Sequence, residues 1–271
     1  MSARRALRVA SLCVLCAVFA CGMFAGAVTP HSYARQFREA PNAAPSALHP
    51  LGTDSLGRDL LARVAYGTRV SLLLAPAAAL LATLIAGVFG GVAGLAGGWV
   101  EKAILSVADL SMALPLLFVL IALRALLPLD VSPLISVVAT FLTLGALGWP
   151  ASLRVVWAAA RNVRSSDFLL MARATGCTPA RILFHQVMPV LRPVLFAQFW
   201  VSVPLFILTE ATLSMLGLGV MEPLPSWGNL LKGLEDFSAV HANPWMLSPL
   251  LLLVAVVVCF QLVLPAQEEL S

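Results

Sequence analysis

The chain has 271 residues, 60% hydrophobic and 11% charged, with a formal net charge of +4. A soluble domain of that length needs far more charge to cover its surface, so a water-soluble globule is excluded and a polytopic membrane protein is expected. The basic excess is 15 arginines and two lysines, Lys102 and Lys232; neither lysine follows a glycine, which excludes a G-x-x-x-x-G-K-[ST] phosphate loop and ATP binding by that route.

Six spans are expected, at about 9–28, 70–99, 103–123, 131–153, 193–218 and 245–264, each an apolar run long enough to cross a bilayer as a helix. The first follows Arg4, Arg5 and Arg8 and ends near Ala25-Gly26-Ala27, like a signal peptide. It is long for one, and further spans follow, so it is read as an uncleaved membrane helix. Cys13, Cys16 and Cys21 lie within it, Cys177 in a polar loop and Cys259 in the last span, a spread that suits buried small residues better than a disulfide framework.

The loop after span one has two parts. Residues 30–50 are rich in Pro and Ala without a period and read as an irregular linker. Next comes His49-Pro-Leu-Gly-Thr-Asp-Ser-Leu-Gly-Arg-Asp59, then Leu60, Leu61, Val64 and Ala65 on one face of a short amphipathic helix, with Asp54 or Ser55 as its cap. The Asp54, Arg58 and Asp59 group either pairs internally or docks a partner; the surrounding Gly52 and Gly57 suggest a tight turn and internal pairing. Span two exceeds the bilayer thickness. Its Gly87, Gly90, Gly91, Gly94 and Gly98 share one helical face, with Gly97 beside them, and permit close helix approach.

Asp109 in span three and Glu210 in span five are acids inside apolar runs, so each faces protein or water. They line a polar path or hold helices together, and the second reading is favoured. Trp227 and Trp245 are expected as interfacial anchors.

The loop after span four carries Arg154, Arg161, Arg164, Arg173, Arg181 and Arg192 against one acid, Asp167. With the basic N-terminus this puts both termini and this loop in the cytoplasm. The first loop disagrees: it holds Arg35, Arg38, Arg58, Arg63 and Arg69, and is kept outside because long translocated loops obey the rule less strictly. Within the basic loop, residues 167–175 form one short helix closed by Gly176. Thr178-Pro179 starts a second, which Pro189 ends. Ala180, Leu183, Phe184, Val187 and Met188 share one face of it, and Arg181 and His185 another. Geometry leaves two readings open, a helix lying on lipid and a helix offered to a partner.

This segment resembles the cytoplasmic coupling loop of ABC-importer permeases, whose pattern is E-A-A, then Gly, then a hydrophobic-x-Leu-Pro ending. Leu170, Met171 and Ala172 stand at the first three places, followed by Arg173 and Ala174; Gly176 and Pro189 have the family spacing. Leu170 replaces the glutamate, so a glutamate-mediated contact is not expected. His49–Asp59 is similar to the H-P-L-G-T-D-x-x-G-R-D signature of the dipeptide/oligopeptide/nickel permeases, in the subunit type with a long first outer loop. Glu210-Ala-Thr-Leu-Ser-Met-Leu-Gly-Leu-Gly219, then Pro223, Pro225, Ser226, Trp227 and Gly228, resembles the same subunit's E-A-x-L-S-F-L-G-L-G…P-S-W-G stretch. The tail 264–271 lacks the usual G-D-x-L-R-D ending.

The resemblance implies an all-α fold, that of type I ABC-importer permeases, with six transmembrane helices and a cytoplasmic coupling helix. The expected organisation is an N-terminal span (1–28), an external linker with a short amphipathic helix (29–69) and a five-span core (70–271) with its coupling loop at about 161–192. The implied function is that of the permease subunit of an ATP-driven importer for peptides or a related small solute, nickel among them, in the bacterial inner membrane. The implied partners are a second homologous permease, two cytoplasmic ATPase subunits that bind ATP and Mg, an external solute-binding protein and membrane lipid, with no nucleic acid. No cofactor is expected in this chain. Carried over to its positions, ATPase coupling falls to Ala172, Arg173, Ala174, Gly176, Thr178, Ala180, Leu183, Phe184, His185 and Pro189, and the external motif to Gly52, Asp54, Gly57, Arg58 and Asp59. The alternative is a secondary transporter run by an ion gradient, with Asp109 and Glu210 as its only intramembrane candidates. An enzyme is not expected: His31, His49, His185 and His241 are scattered without ligand spacing, and no metal site is read from them.

Overall fold

The computed structural model of the chain describes residues 2–114, 116–126, 132–235 and 237–263. The expected start of span four at Val131, the end of span six at Leu264 and the divergent tail 264–271 lie outside them. The described residues are overwhelmingly helical, with no strand beyond two isolated bridges, Gln36 to Arg58 and Thr53 to Asp59. Five helices are long and apolar enough to cross a membrane: Arg5–Met23, Leu60–Ala96, Pro133–Val163, Pro179–Met215 and Pro244–Val263. The helices Gly98–Ala113 and Leu117–Leu123, bent by 83° from one another, make a sixth span if counted together. This is the all-α polytopic fold expected from the apolar runs.

Four boundaries differ from the expectation, each for a local reason. The amphipathic stretch at 60–65 and span two form one helix, Leu60–Ala96, of 37 residues. Its cap is Asp59 and neither Asp54 nor Ser55: Asp59 Oδ1 accepts from the Ala62 amide at 2.8 Å. Span four continues through the helix Trp149–Val163, so Arg154 and Arg161 lie on a helix and not in a loop. Pro189 ends nothing. A π-helical turn, Leu183–Val187, precedes it and hands over directly to the helix Met188–Met215. The wider turn re-phases the hydrogen-bond ladder just where proline supplies no N–H, and the helix passes through.

By mutual contacts the chain divides into two units. One comprises Met1–Ala75, Arg124–Phe141 and Pro204–Ser271; in it the first helix packs on the last, Ser248–Val263. Trp227 belongs to its core. It is fully buried, with its indole N–H donating to Thr68 Oγ1 at 3.0 Å and its amide to Ser71 Oγ at 3.2 Å. The expected interfacial anchor is therefore a core residue, held there because burial of the indole N–H requires a partner that Thr68 supplies.

The other unit comprises Pro76–Leu123 and Leu142–Val203. Here the glycines of the long second helix face two neighbours, not one. A Cβ at Gly90 would meet Leu153 O and Val156 at 3.0 Å, and one at Gly94 would meet Ala160 Cβ at 2.6 Å. Gly91 lies instead against Leu183 and Met188, and Gly87 against Leu195. Small residues thus let Leu60–Ala96 approach both Trp149–Val163 and Pro179–Met215. Gly97 and Gly98 have φ of 68° and 61° and make the turn between two helices; no atom lies within 4 Å of a Cβ at Gly98.

Candidate functional site

The capped segment after the fourth span is built by local rules. The helix Asp167–Ala174 begins after Ser166 and ends in a Schellman turn: Cys177 N donates to Ala172 O at 3.0 Å and Gly176 N to Arg173 O at 3.1 Å. Gly176 has φ of 74° with open space where a Cβ would stand. Thr178 follows in extended conformation, its hydroxyl accepting from the Arg181 amide at 3.4 Å, and Pro179 takes the first helical position. The helix–glycine–helix reading of the sequence describes this geometry.

The face presented is not the one expected. Val187 is buried together with Ile182, Leu169, Ala172 and Leu191 in an apolar cluster that also takes Val156 and Ala160, and Leu183 is buried against Gly91. Ala180 and Phe184 point away from it, Phe184 being 54% exposed. The π-helical turn adds a residue per turn and rotates Phe184 off the buried stripe. Arg173, Ala174, Arg181 and His185 are exposed, and Pro189 is half-buried inside the helix. Ala180 and Phe184 line an apolar recess of about 690 Å³ with Val88, Val92 and Leu95, and Arg173 is the one charged residue on its wall. Leu170 and Met171, which stand in place of Glu and Ala in the resembled pattern, are both exposed.

The first loop is a knot of internal contacts. Gly52 and Gly57 have φ of 72° and 70°, and a Cβ at either would run into backbone carbonyls, Ala43 O and Phe37 O. Thr53 is buried, its hydroxyl accepting from Ala43 N at 2.8 Å. Asp54 caps its own turn through the amides of Leu56 and Arg58, both at 2.9 Å. Its second oxygen receives Arg58 Nε at 2.7 Å and Arg63 Nη1 at 3.0 Å. Both guanidinium groups also reach Glu222, at 2.6 and 2.8 Å. Arg63 and Glu222 had no signal in the sequence beyond an arginine set among the apolar residues 60–65; a 159-residue separation carries none. Asp59 is wholly buried and holds His49 Nδ1 at 2.8 Å through Oδ2. His31, 18 residues upstream of His49, comes to the same place, which spacing along the chain does not reveal.

The two span acids are each engaged by protein. Asp109 pairs with Arg154 of the helix Trp149–Val163. Glu210 is fully buried, and its Oε1 accepts from Ser214 at 2.6 Å and Ser226 at 2.8 Å. Ser226 also forms a capping box with Asn229 at the helix Trp227–Lys232. Glu210 thereby ties the end of the fifth span to the P-S-W-G turn, both within one unit.

Comparison with known proteins agrees with this architecture. Residues 70–268 match the family described as binding-protein-dependent transport system inner membrane component. The chain is 33% identical over 236 residues to the dipeptide transport system permease protein DppC of Bacillus subtilis, covering 87% of this chain and 72% of that protein. It is 30% identical to the oligopeptide transport system permease protein OppC of the same organism, over 89% of this chain and 76% of that one. It is 33% identical to the OppC protein of Mycobacterium bovis, over 96% and 89%. Such a match does not favour a secondary transporter. The five or six spans and these matches together show that the chain belongs to the binding-protein-dependent transport inner membrane components, the multi-pass permease subunits of ABC importers.

Proposed function

We propose that this chain forms half of the translocation path of a peptide importer and couples it to ATP hydrolysis through residues 167–189. The carrying observation is the exposed pair Ala180 and Phe184 beside an apolar recess, on a helix pinned at its start by Thr178 and continuous to Met215. The relatives named for dipeptide and oligopeptide transport support the substrate class. The partners in this reading are a second permease, two ATPase subunits carrying ATP and Mg, and an external solute-binding protein, with both termini of this chain cytoplasmic. ATP draws the ATPase subunits together, they carry the Thr178 end of the helix with them, and the spans open the path alternately to each side. This chain contributes a lever and half a pore and breaks no bond. Ala172 and Leu183 support the lever from its buried face; Arg173, Ala174, Ala180, Phe184 and His185 meet the partner; Gly176 sets the turn; and Pro189 lies where the lever joins the span. Asp109 and Glu210 hold helices together, and Gly52, Asp54, Gly57, Arg58 and Asp59 shape the outer loop.

The test is disulfide crosslinking of Phe184→Cys in the reconstituted complex, on a background lacking native cysteines. Crosslinks to an ATPase subunit are expected. Contacts with lipid probes alone would return the segment to a helix lying on the membrane. In vesicles, Gly176→Asp is expected to leave ATP hydrolysis running while uptake falls; normal uptake counts against the lever.

A further inference from the structure

We propose that His31, His49 and Asp59 form a binding site for a divalent transition-metal ion of the Zn²⁺ or Cu²⁺ class, clipping the first loop to the start of the long second helix. Two ring nitrogens and one carboxylate oxygen lie within 4.8 Å of one another. Ligands at ~2.0–2.2 Å around one ion stand ~3.3 Å apart, so closing the widest separation takes a shift of about 1.5 Å.

Three observations point to an ion and not merely to packed rings. His31 Nε2 is buried without a hydrogen-bond partner. A buried imidazole nitrogen is costly to leave unmatched, and a cation would match it. Asp59 is fully buried and held from two sides, by the Ala62 amide on Oδ1 and by His49 Nδ1 on Oδ2. An ion would take the place of the proton between Asp59 Oδ2 and His49 Nδ1, making both atoms ligands and releasing that proton. The rings are held as well: Phe37 packs edge-on against His31 at 5.0 Å and His49 at 4.7 Å between centroids. The guanidinium of Arg35 lies over the far-reaching Phe37 ring at 4.8 Å, engaged by that ring.

The donor set selects the ion. Two imidazoles with one carboxylate suit Zn²⁺ and Cu²⁺, whereas Ca²⁺ and Mg²⁺ demand more oxygens than three residues offer. Water completes the coordination. The ion would join residue 31, which follows the first helix, to residue 59, which caps the second, closing a 28-residue loop.

The purified full chain in detergent, stripped with chelator and then equilibrated with Zn²⁺, tests this by metal content after desalting and by competition with a chromophoric chelator. One Zn²⁺ per chain is expected. His31→Ala and His49→Gln are each expected to weaken it at least ten-fold. The His31 ring makes no hydrogen bond among the described residues, so its removal costs only ring packing on Phe37 and His49, and Gln at 49 still donates to Asp59. Cys13→Ser with Cys16→Ser should change nothing. Absence of retained zinc, zinc unaffected by His31→Ala, or zinc lost only with the cysteines would each overturn the site.

Discussion

Around Gly176 the side chains of Arg173, Arg181, Phe184 and His185 reach outward; around Asp54 the charged side chains turn in on one another. Phe184 is 54% exposed, while Arg63, on an arm of similar length, is 2% exposed with its guanidinium bound to Asp54 and Glu222. Yet the first-loop stretch is the one that matches its family pattern at every quoted place, and the segment around Gly176, the proposed coupling segment, is the one that departs from it at Leu170 and Met171. The contrast teaches that a legible motif marks a backbone that must be built one way. A docking surface needs only shape and apolar area, and tolerates other residues.

The sharpest way to break this contrast is to attack the knot. Asp54→Ala removes the acceptor of Arg58 and Arg63 and two amide contacts at once. With Arg63 buried, loss of one partner should cost about 3 kcal/mol. Reversible denaturant unfolding of the chain in detergent measures it. A loss below ~1 kcal/mol would mean that the cluster is hydrated and its charges independent.

A smaller effect is expected where helices touch through glycine. At Gly94 a Cβ meets Ala160 Cβ at 2.6 Å and the Arg161 backbone N at 2.9 Å, and backbone cannot step aside. Gly94→Val should cost about 1–3 kcal/mol by overpacking. Gly98→Ala meets no atom and should cost about 1 kcal/mol through its φ of 61° alone. Equal losses at the two positions would remove the distinction between contact and turn.

These cases also show what sequence reading reaches. Apolar runs located every span whose helix is described, because lipid demands them. They misplaced the ends, because helices outlast the membrane: Arg154 and Arg161 look like loop residues by charge and are helical. Pro189 looked like a stop because proline lacks an N–H, and only the preceding π-helical turn shows how the helix survives it. That turn also put Phe184 on the other face. Caps and glycine turns at 176–179 were legible since they are local chemistry. The Arg63–Glu222 pair and the meeting of His31 with His49 are long-range, and no local rule encodes them.

Phe184→Ala tests the outward half of the contrast. An exposed side chain contributes little to the fold, so unfolding should shift by less than about 0.5 kcal/mol. The ratio of ATP hydrolysed to solute imported by the reconstituted complex should rise by about ten-fold, the change that ~1.4 kcal/mol of lost docking produces. A stability loss with an unchanged ratio would place Phe184 in the core of the unit and off the partner surface.

The smallest effect belongs to the cap. The Thr178 hydroxyl stands 3.4 Å from the Arg181 amide, long for a hydrogen bond, so Thr178→Ala should cost about 0.5 kcal/mol, the low end for helix caps. Amide exchange at Arg181 should quicken about two-fold, with exchange in the first-loop knot unchanged. The locality is the point. The segment is assembled from separable pieces, a Schellman turn, a cap and a proline, each replaceable at small cost, whereas the knot shares Asp54 among four donors. An exchange increase that spread from Arg181 into Leu169 and Ala172 would show the two short helices to be one cooperative unit. The lever would then be set by burial of Leu169, Ile182 and Val187 more than by its cap.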